Sequence, residues 1–236
     1  LDLDIYRAVF RLPRFIIYNT ETERTLVQWR FRNESVPNAV VGTGVGFPEA
    51  VDPEGFRQRH SLTGQLLTYV GRIDRAKGCD VLLDHFTRYR EERHSDVTLL
   101  MIGRPEMALP SRPDVLSIGF VSEQEKFDAI AASSVVVLPS EQESLSMINL
   151  EAWLMGVPVL ANGFCQVLKD NCVRSNGGLY YTSYEEFAGC LDVLLADERI
   201  RQTLGAQGLR YYRDNYDWGV VESRYLEIVQ HLLERA

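Results

Sequence analysis

Two short stretches of this sequence concentrate residue types that can do chemistry. The first is Val70-Gly71-Arg72-Ile73-Asp74-Arg75-Ala76-Lys77-Gly78. It follows an apolar run and precedes a helical pattern. Its glycines let backbone come close to a ligand. Arg72 and Lys77 add two cations, a donor set that suits a diphosphate. It is not a Walker loop, because the terminal Gly-Lys-Ser/Thr is missing. The second stretch runs from Pro139 to Ala152 and holds Glu143 and Glu151. A strand is expected to end at Leu138 and a helix to begin near Ser146. First-turn amides of a helix lack intrahelical partners and lie at the positive end of its dipole, a ready anion site. Glu143 falls ahead of that helix and Glu151 more than a turn inside it. The two carboxylates therefore address different parts of a ligand lying across the helix start. Carboxylates accept well from diols, so sugar hydroxyls are expected at Glu143 and ribose hydroxyls at Glu151. Solvated surface loops use the same residue types, so what surrounds these stretches decides their meaning.

What must position them is an alternation of strands and helices. Apolar runs at 15–18, 39–41, 66–70, 97–102, 115–118, 135–138, 157–161 and 179–181 read as strands. Several are apolar at consecutive positions, as in strands buried on both faces. Residues 81–93 are amphipathic, and Ser122 with Glu125 and Ser183 with Glu186 form capping boxes that open helices. The pattern predicts a doubly wound parallel sheet, whose ligands bind where strands end. Residues 217–235 carry Trp218, Val221, Tyr225, Ile228, Val229 and Leu232 at helical spacing, an apolar stripe expected to pack in a core, either of this chain or of the missing domain.

Residues 42–64 break the rhythm with Gly42, Gly44, Gly46, Pro48, Pro53, Gly55 and Gly64, and read as an interdomain linker. The expected organisation is the end of a preceding domain at 1–41, the linker at 42–64, a Rossmann-like domain at 65–215, and a C-terminal helix at 216–236 that packs back on the preceding domain. The chain starts at Leu1, so the body of that preceding domain is expected to be missing. Gly42-Thr43-Gly44-Val45-Gly46 superficially resembles a dinucleotide fingerprint, but Pro48 and Pro53 follow where a long helix should start.

The 236 residues carry a formal net charge of −8, which repels nucleic acid at long range. No apolar run approaches the ~20 residues that span a bilayer. Cys79, Cys165, Cys172 and Cys190 have neither zinc nor disulfide-framework spacing and are expected as reduced thiols. His60, His85, His94 and His231 are scattered, with no metal-ligand pattern.

Together these residues resemble the retaining GT-B glycosyltransferases of the family 4 type (glycosyl transferases group 1), in their C-terminal donor-binding domain. The resemblance runs from about Phe15 to Leu232. It rests on Gly-Arg-(hydrophobic)-x-x-x-Lys-Gly as Gly71 to Gly78, on two glutamates with seven residues between them as Glu143 and Glu151, and on Gly156-Val157-Pro158-Val159. Ile118-Gly119-Phe120-Val121 and Tyr216-Asp217-Trp218 complete it. The implied fold is α/β of GT-B type, one Rossmann-like doubly wound parallel sheet plus a remnant of the preceding domain. The implied donor is a UDP- or GDP-linked sugar, and the acceptor a saccharide or lipid-linked molecule. Arg72 and Lys77 would bind the diphosphate, Glu143 the sugar and Glu151 the ribose. Gly71 and the backbone at Leu145, Ser146 and Met147 would meet sugar and phosphates, and Val121 the base. No cofactor or metal is implied, nor a nucleic-acid partner. Transfer would occur on the front face, with retention and no carboxylate nucleophile. The implied setting is cytoplasmic, at most peripheral to a membrane. Ser144-Leu145-Ser146 departs from the Gly-Phe-Gly of many members, and Phe164 to Lys169 from their Pro-Glu. The alternatives are a non-catalytic nucleotide-sugar-binding module, an epimerase or a phosphorylase.

Overall fold

The computed structural model describes residues 3–93 and 95–234. His94 and Arg235 lie outside the described residues. The chain divides into two compact units, one made of Leu1–Val45 with Asp214–Ala236, the other of Gly46–Arg213.

The larger unit is a six-stranded parallel sheet. Its strands are β3 (Leu66–Val70), β4 (Thr98–Ile102), β5 (Val115–Gly119), β6 (Val135–Leu138), β7 (Val159–Asn162) and β8 (Gly178–Tyr181), in the order β5-β4-β3-β6-β7-β8. The chain winds outward from β3 to β5, then returns to the other side of β3 with β6. The β3/β6 boundary is therefore the topological switch point, where the loops at the carboxyl ends diverge and leave a crevice.

Alternate strand residues feed two cores, because successive side chains of a strand point to opposite faces. Leu67, Tyr69, Leu99, Met101, Val135 and Val137 pack with Leu82, Phe86 and Tyr89 of α4 (Cys79–Arg93) and Phe187, Leu191 and Leu194 of α8 (Tyr184–Ala196). Leu66, Leu100 and Ile102 pack with Phe56 of α3 (Pro53–Arg59) and Ala129 of α5 (Glu123–Ala131). Both expected N-caps form, with Ser122 accepting from the Glu125 amide and Ser183 from the Glu186 amide, but the glutamate side chains meet His60 and Thr182 rather than the cap amides.

The segment expected as a linker has structure of its own. Asp52 caps α3, Pro53 opens it, and Phe56 is wholly buried on the sheet. Arg57 donates to the carbonyls of Gly64 and Ala132. The scarcity of apolar runs at 42–64 concealed this, because a single aromatic anchors the helix.

In the smaller unit, α1 (Leu3–Val9) precedes β1 (Ile16–Tyr18), which pairs in parallel with β2 (Asn38–Val40) around α2 (Glu21–Phe31). The strands expected at 15–18 and 39–41 are thus β1 and β2, joined here by α2. Glycines 42 and 44 make room for aromatics, not a nucleotide: a Cβ at Gly42 would come 2.9 Å from Tyr216, and one at Gly44 2.7 Å from the Trp218 ring. The last helix, α10 (Trp218–Leu233), carries the expected stripe. Of its apolar stripe Val221 is buried, whereas Trp218, Tyr225, Val229 and Leu232 are exposed. No helix among the described residues is long and apolar enough to cross a membrane.

Candidate functional site

The β3/β6 switch point opens into a cleft of about 560 Å³ lined by Tyr69, Val70, Gly71, Lys77, Leu138, Pro139, Ser140, Glu143, Ser146, Met147 and Ile148. Both motif stretches meet here. The loop after β3 carries Gly71 and Lys77, and the loop after β6 carries Glu143 and runs into α6 (Met147–Leu154).

The first loop is held by its own side chains. Asp74 accepts from the Lys77 amide at 2.8 Å and caps a single 3-10 turn, Arg75–Lys77. Asp74 also ion-pairs with Arg72. The buried Tyr69 hydroxyl donates to the Arg72 carbonyl at 2.6 Å. Burial, with the Cys79 thiol next, pushes that hydroxyl well above the ordinary tyrosine range, so it stays a donor. Gly78 closes the turn at φ +73°, and a Cβ there would come 2.5 Å from the Pro139 carbonyl oxygen. This is the closest approach of the two loops, and glycine permits it.

The second loop ends in a left-handed residue. Ser146 has φ 71° and ψ 99°, and its hydroxyl accepts from the Asn149 amide at 3.4 Å. Glycine adopts such a backbone with less strain. Serine keeps the turn while adding a cap to α6. Leu145 is buried, and its carbonyl accepts from Asn171 at 3.4 Å, so its side chain anchors the loop. The α6 amides thus face the same cleft as Lys77, and cation and dipole reinforce each other.

A second cleft of about 750 Å³ shares Val70 and Gly71 with the first and continues toward β4 and β5. Arg72, Gly103, Arg104, Glu106, Phe120, Val121, Glu123 and Lys126 line it. Of the residues expected from sequence, Gly71, Lys77, Glu143, Ser146 and Met147 line the first cleft. Gly71, Arg72 and Val121 line the second. Leu145 and Glu151 line neither, and both are buried.

Ion pairs occupy both expected glutamates. Lys77 Nζ lies 2.8 Å from Glu143 Oε1, with both side chains partly exposed. Glu151 is only 6 % exposed, its Oε1 lies 2.8 Å from Lys126 Nζ, and its Oε2 is buried without a hydrogen-bond partner. Burial pushes the Glu151 carboxyl up, and Lys126 offsets part of that. Burial pulls the Lys126 ammonium down, but its hydrogen bonds to Glu123 and Glu151 prevail and leave it above the ordinary lysine range. Lys126 was not singled out by sequence. One signal existed: in a chain dominated by arginine, Lys77, Lys126 and Lys169 are its lysines, and two of them meet the paired glutamates. Among the described residues no group of His, Cys, Asp and Glu is arranged to hold a metal ion. The four cysteines are free thiols.

Comparison with known proteins places the chain among glycosyltransferases. The D-inositol 3-phosphate glycosyltransferase of Salinispora arenicola (strain CNS-205) is 26 % identical over 245 aligned positions, which cover 90 % of this chain and 54 % of that protein. The capsular polysaccharide biosynthesis glycosyltransferase CapM of Staphylococcus aureus is also 26 % identical, over 82 % of this chain and 57 % of its own length. The chain thus spans a little over half the length of these relatives. Sucrose-phosphate synthase from Thermosynechococcus elongatus superposes with a TM-score of 0.81 at 19 % identity, covering 99 % of this chain and 62 % of that one. Anabaena Alr3699/HepE in complex with UDP and glucose gives 0.77 at 17 % identity, covering 97 % and 66 %. These superpositions place the fold among the GT-B glycosyltransferases. The family description of the glycosyl transferases group 1 matches residues 64–197, which hold both loops, both clefts and the paired glutamates, and the chain belongs to that family.

Proposed function

We propose that this chain is the donor-binding half of an enzyme that transfers a sugar from a nucleoside-diphosphate sugar to a saccharide or lipid-linked acceptor, with retention at the anomeric carbon. The observation that carries this reading is the first cleft. A lysine, a carboxylate and a helix N-terminus converge there on one crevice at the switch point. The diphosphate lies along Gly71 toward Lys77 and the α6 amides, with Arg72 at its other side. The sugar meets Glu143. The base extends into the second cleft, past Val121, and the ribose reaches Glu151. Alr3699/HepE, a neighbour in fold, has been crystallised with UDP and with UDP-glucose, which makes these the first probes to use.

As the glycosidic bond breaks, negative charge grows on the leaving diphosphate. Lys77, Arg72 and the helix amides are fixed in advance where it grows, which lowers the barrier without solvent reorganisation. Lys77 must exchange Glu143 for phosphate as the donor enters, which frees Glu143 to accept from sugar hydroxyls. Departure and attack occur on one face through an oxocarbenium-like state, and no enzyme carboxylate bonds to the sugar. The protein cations and amides take the electrostatic role that Mg²⁺ plays elsewhere, so transfer needs no divalent metal.

The test is to titrate this chain calorimetrically with UDP, GDP and their glucose and mannose conjugates, in buffer with and without EDTA. Binding of one base series, unchanged by EDTA, is the expected result. Absence of binding to every nucleotide would overturn the reading.

A further inference from the structure

The mechanism above leaves Lys126 without a role, yet it lines the second cleft. Its side chain is 13 % exposed and bridges two carboxylates, Glu123 Oε2 and Glu151 Oε1, each at 2.8 Å. Glu151 is buried on α6, and its second oxygen has no partner. A carboxyl group in that position faces two choices. It can stay ionised if a cation holds it, or take up a proton and become an acid that donates rather than accepts. Only the ionised form offers both oxygens to a vicinal diol. Lys126 comes from α5, the helix that follows the β5 loop carrying Val121, and Lys126 and Val121 line one cleft. The side chain therefore ties the loop expected at the base to the helix expected at the ribose.

We infer that Lys126 is a positioning residue for the nucleotide site: from the wall of the second cleft it holds the buried Glu151 carboxylate ionised, the form that accepts from the ribose diol. This rests on the reading of Glu151 as the ribose-binding group. Lys126 acts through Glu151 and needs no contact of its own with the ligand. The charged groups that meet this carboxylate are Lys126 and, beyond it, Glu123, both on α5. Removing Lys126 leaves Glu151 buried, with Glu123 as its remaining charged neighbour. Burial and Glu123 both raise its carboxyl further. The sign follows directly: a group that must be ionised to bind works above its pKa and fails as pH falls through it. Without Lys126 that failure moves to higher pH.

The experiment compares the unaltered chain with Lys126→Met, Lys126→Arg and Glu151→Gln by calorimetry, from pH 6 to pH 8. The probes are UDP and GDP and their 2′,3′-dideoxy counterparts, which lack the diol. Phosphate titration is common to all these ligands and cancels in the comparison. For whichever ribonucleotide binds, Lys126→Met is expected to weaken affinity about tenfold or more at pH 6, and less at pH 8. Lys126→Arg keeps the cation and is expected to retain most of the affinity. For the dideoxy probe the Lys126→Met penalty is expected to vanish, which a general structural defect would not produce. If Lys126→Met does not fold by circular dichroism, Lys126→Gln serves in the same comparison.

Equal weakening of ribo- and dideoxyribonucleotide by loss of Lys126 would overturn the inference, as would an unchanged pH profile. Those outcomes, with Glu151→Gln still selectively weakening the ribonucleotide, would leave the ribose reading of Glu151 standing. Full ribonucleotide affinity in Glu151→Gln would overturn both.

Discussion

Lys77 Nζ and Glu143 Oε1 stand 2.8 Å apart across the cleft, one on the loop after β3 and the other on the loop after β6. The two residues proposed for different parts of one donor thus pair with each other. An incoming diphosphate must displace a carboxylate, and the affinity of free nucleotide reports the difference between these two partners of Lys77.

Lys77→Ala is therefore expected to weaken nucleoside diphosphate binding by about one to two decades. Charge-assisted hydrogen bonds contribute ~1.5–3 kcal/mol, and each 1.4 kcal/mol is about tenfold. Calorimetry at fixed ionic strength measures it. Unchanged affinity would remove Lys77 from the site.

The two glutamates should separate. Glu143→Gln leaves free nucleotide binding intact or tighter, because the competitor for Lys77 has lost its charge, while sugar-nucleotide binding falls. Glu151→Gln weakens both ligands. Matching losses of free nucleotide affinity in the two variants would end the division of roles.

Gly78 and Gly119 provide a matched pair for the loop geometry, with φ of +73° and +74°. Alanine at either pays the left-handed backbone cost of ~1–2 kcal/mol. A Cβ at Gly119 meets nothing within 4 Å, whereas one at Gly78 presses on the Pro139 carbonyl. Gly78→Ala is thus expected to melt several degrees below Gly119→Ala, given ~2–4 °C per kcal/mol at this size. Coincident melting curves would mean that the two loops are not in close contact.

Acid stability should register Asp114. Its carboxyl is held down at about 2, chiefly by hydrogen bonds from Arg112 and also from Arg90. The stability it contributes is fully present above the unfolded carboxylate value of ~4, and is lost as pH falls through about 2. Asp114→Asn is expected to cost about 2 kcal/mol at neutral pH, and its deficit relative to the unaltered chain should shrink from pH 4 to pH 2. A deficit independent of pH would mean that the carboxylate charge is irrelevant there. Denaturant titrations at each pH decide it.

The sequence alone determined the eight strands, the serine caps of α5 and α8, the parallel sheet and the loops that carry Gly71, Arg72, Lys77 and Glu143. These follow from local physics: runs of apolar residues, cap chemistry, and glycines between a strand and a helix. Only the tertiary structure decided who meets whom. Lys126 and Glu151 are 25 residues apart, on different helices, and nothing in the spacing of either motif announces their pair. The same holds for Phe56, in a glycine- and proline-rich stretch that has no period to read, yet wholly buried on the sheet. For α10 the sequence marked an apolar stripe, of which Val221 is buried and Trp218, Tyr225, Val229 and Leu232 are exposed. Helical periodicity reveals that a helix has an apolar face, but whether that face is covered depends on neighbours that the helix's own sequence does not encode.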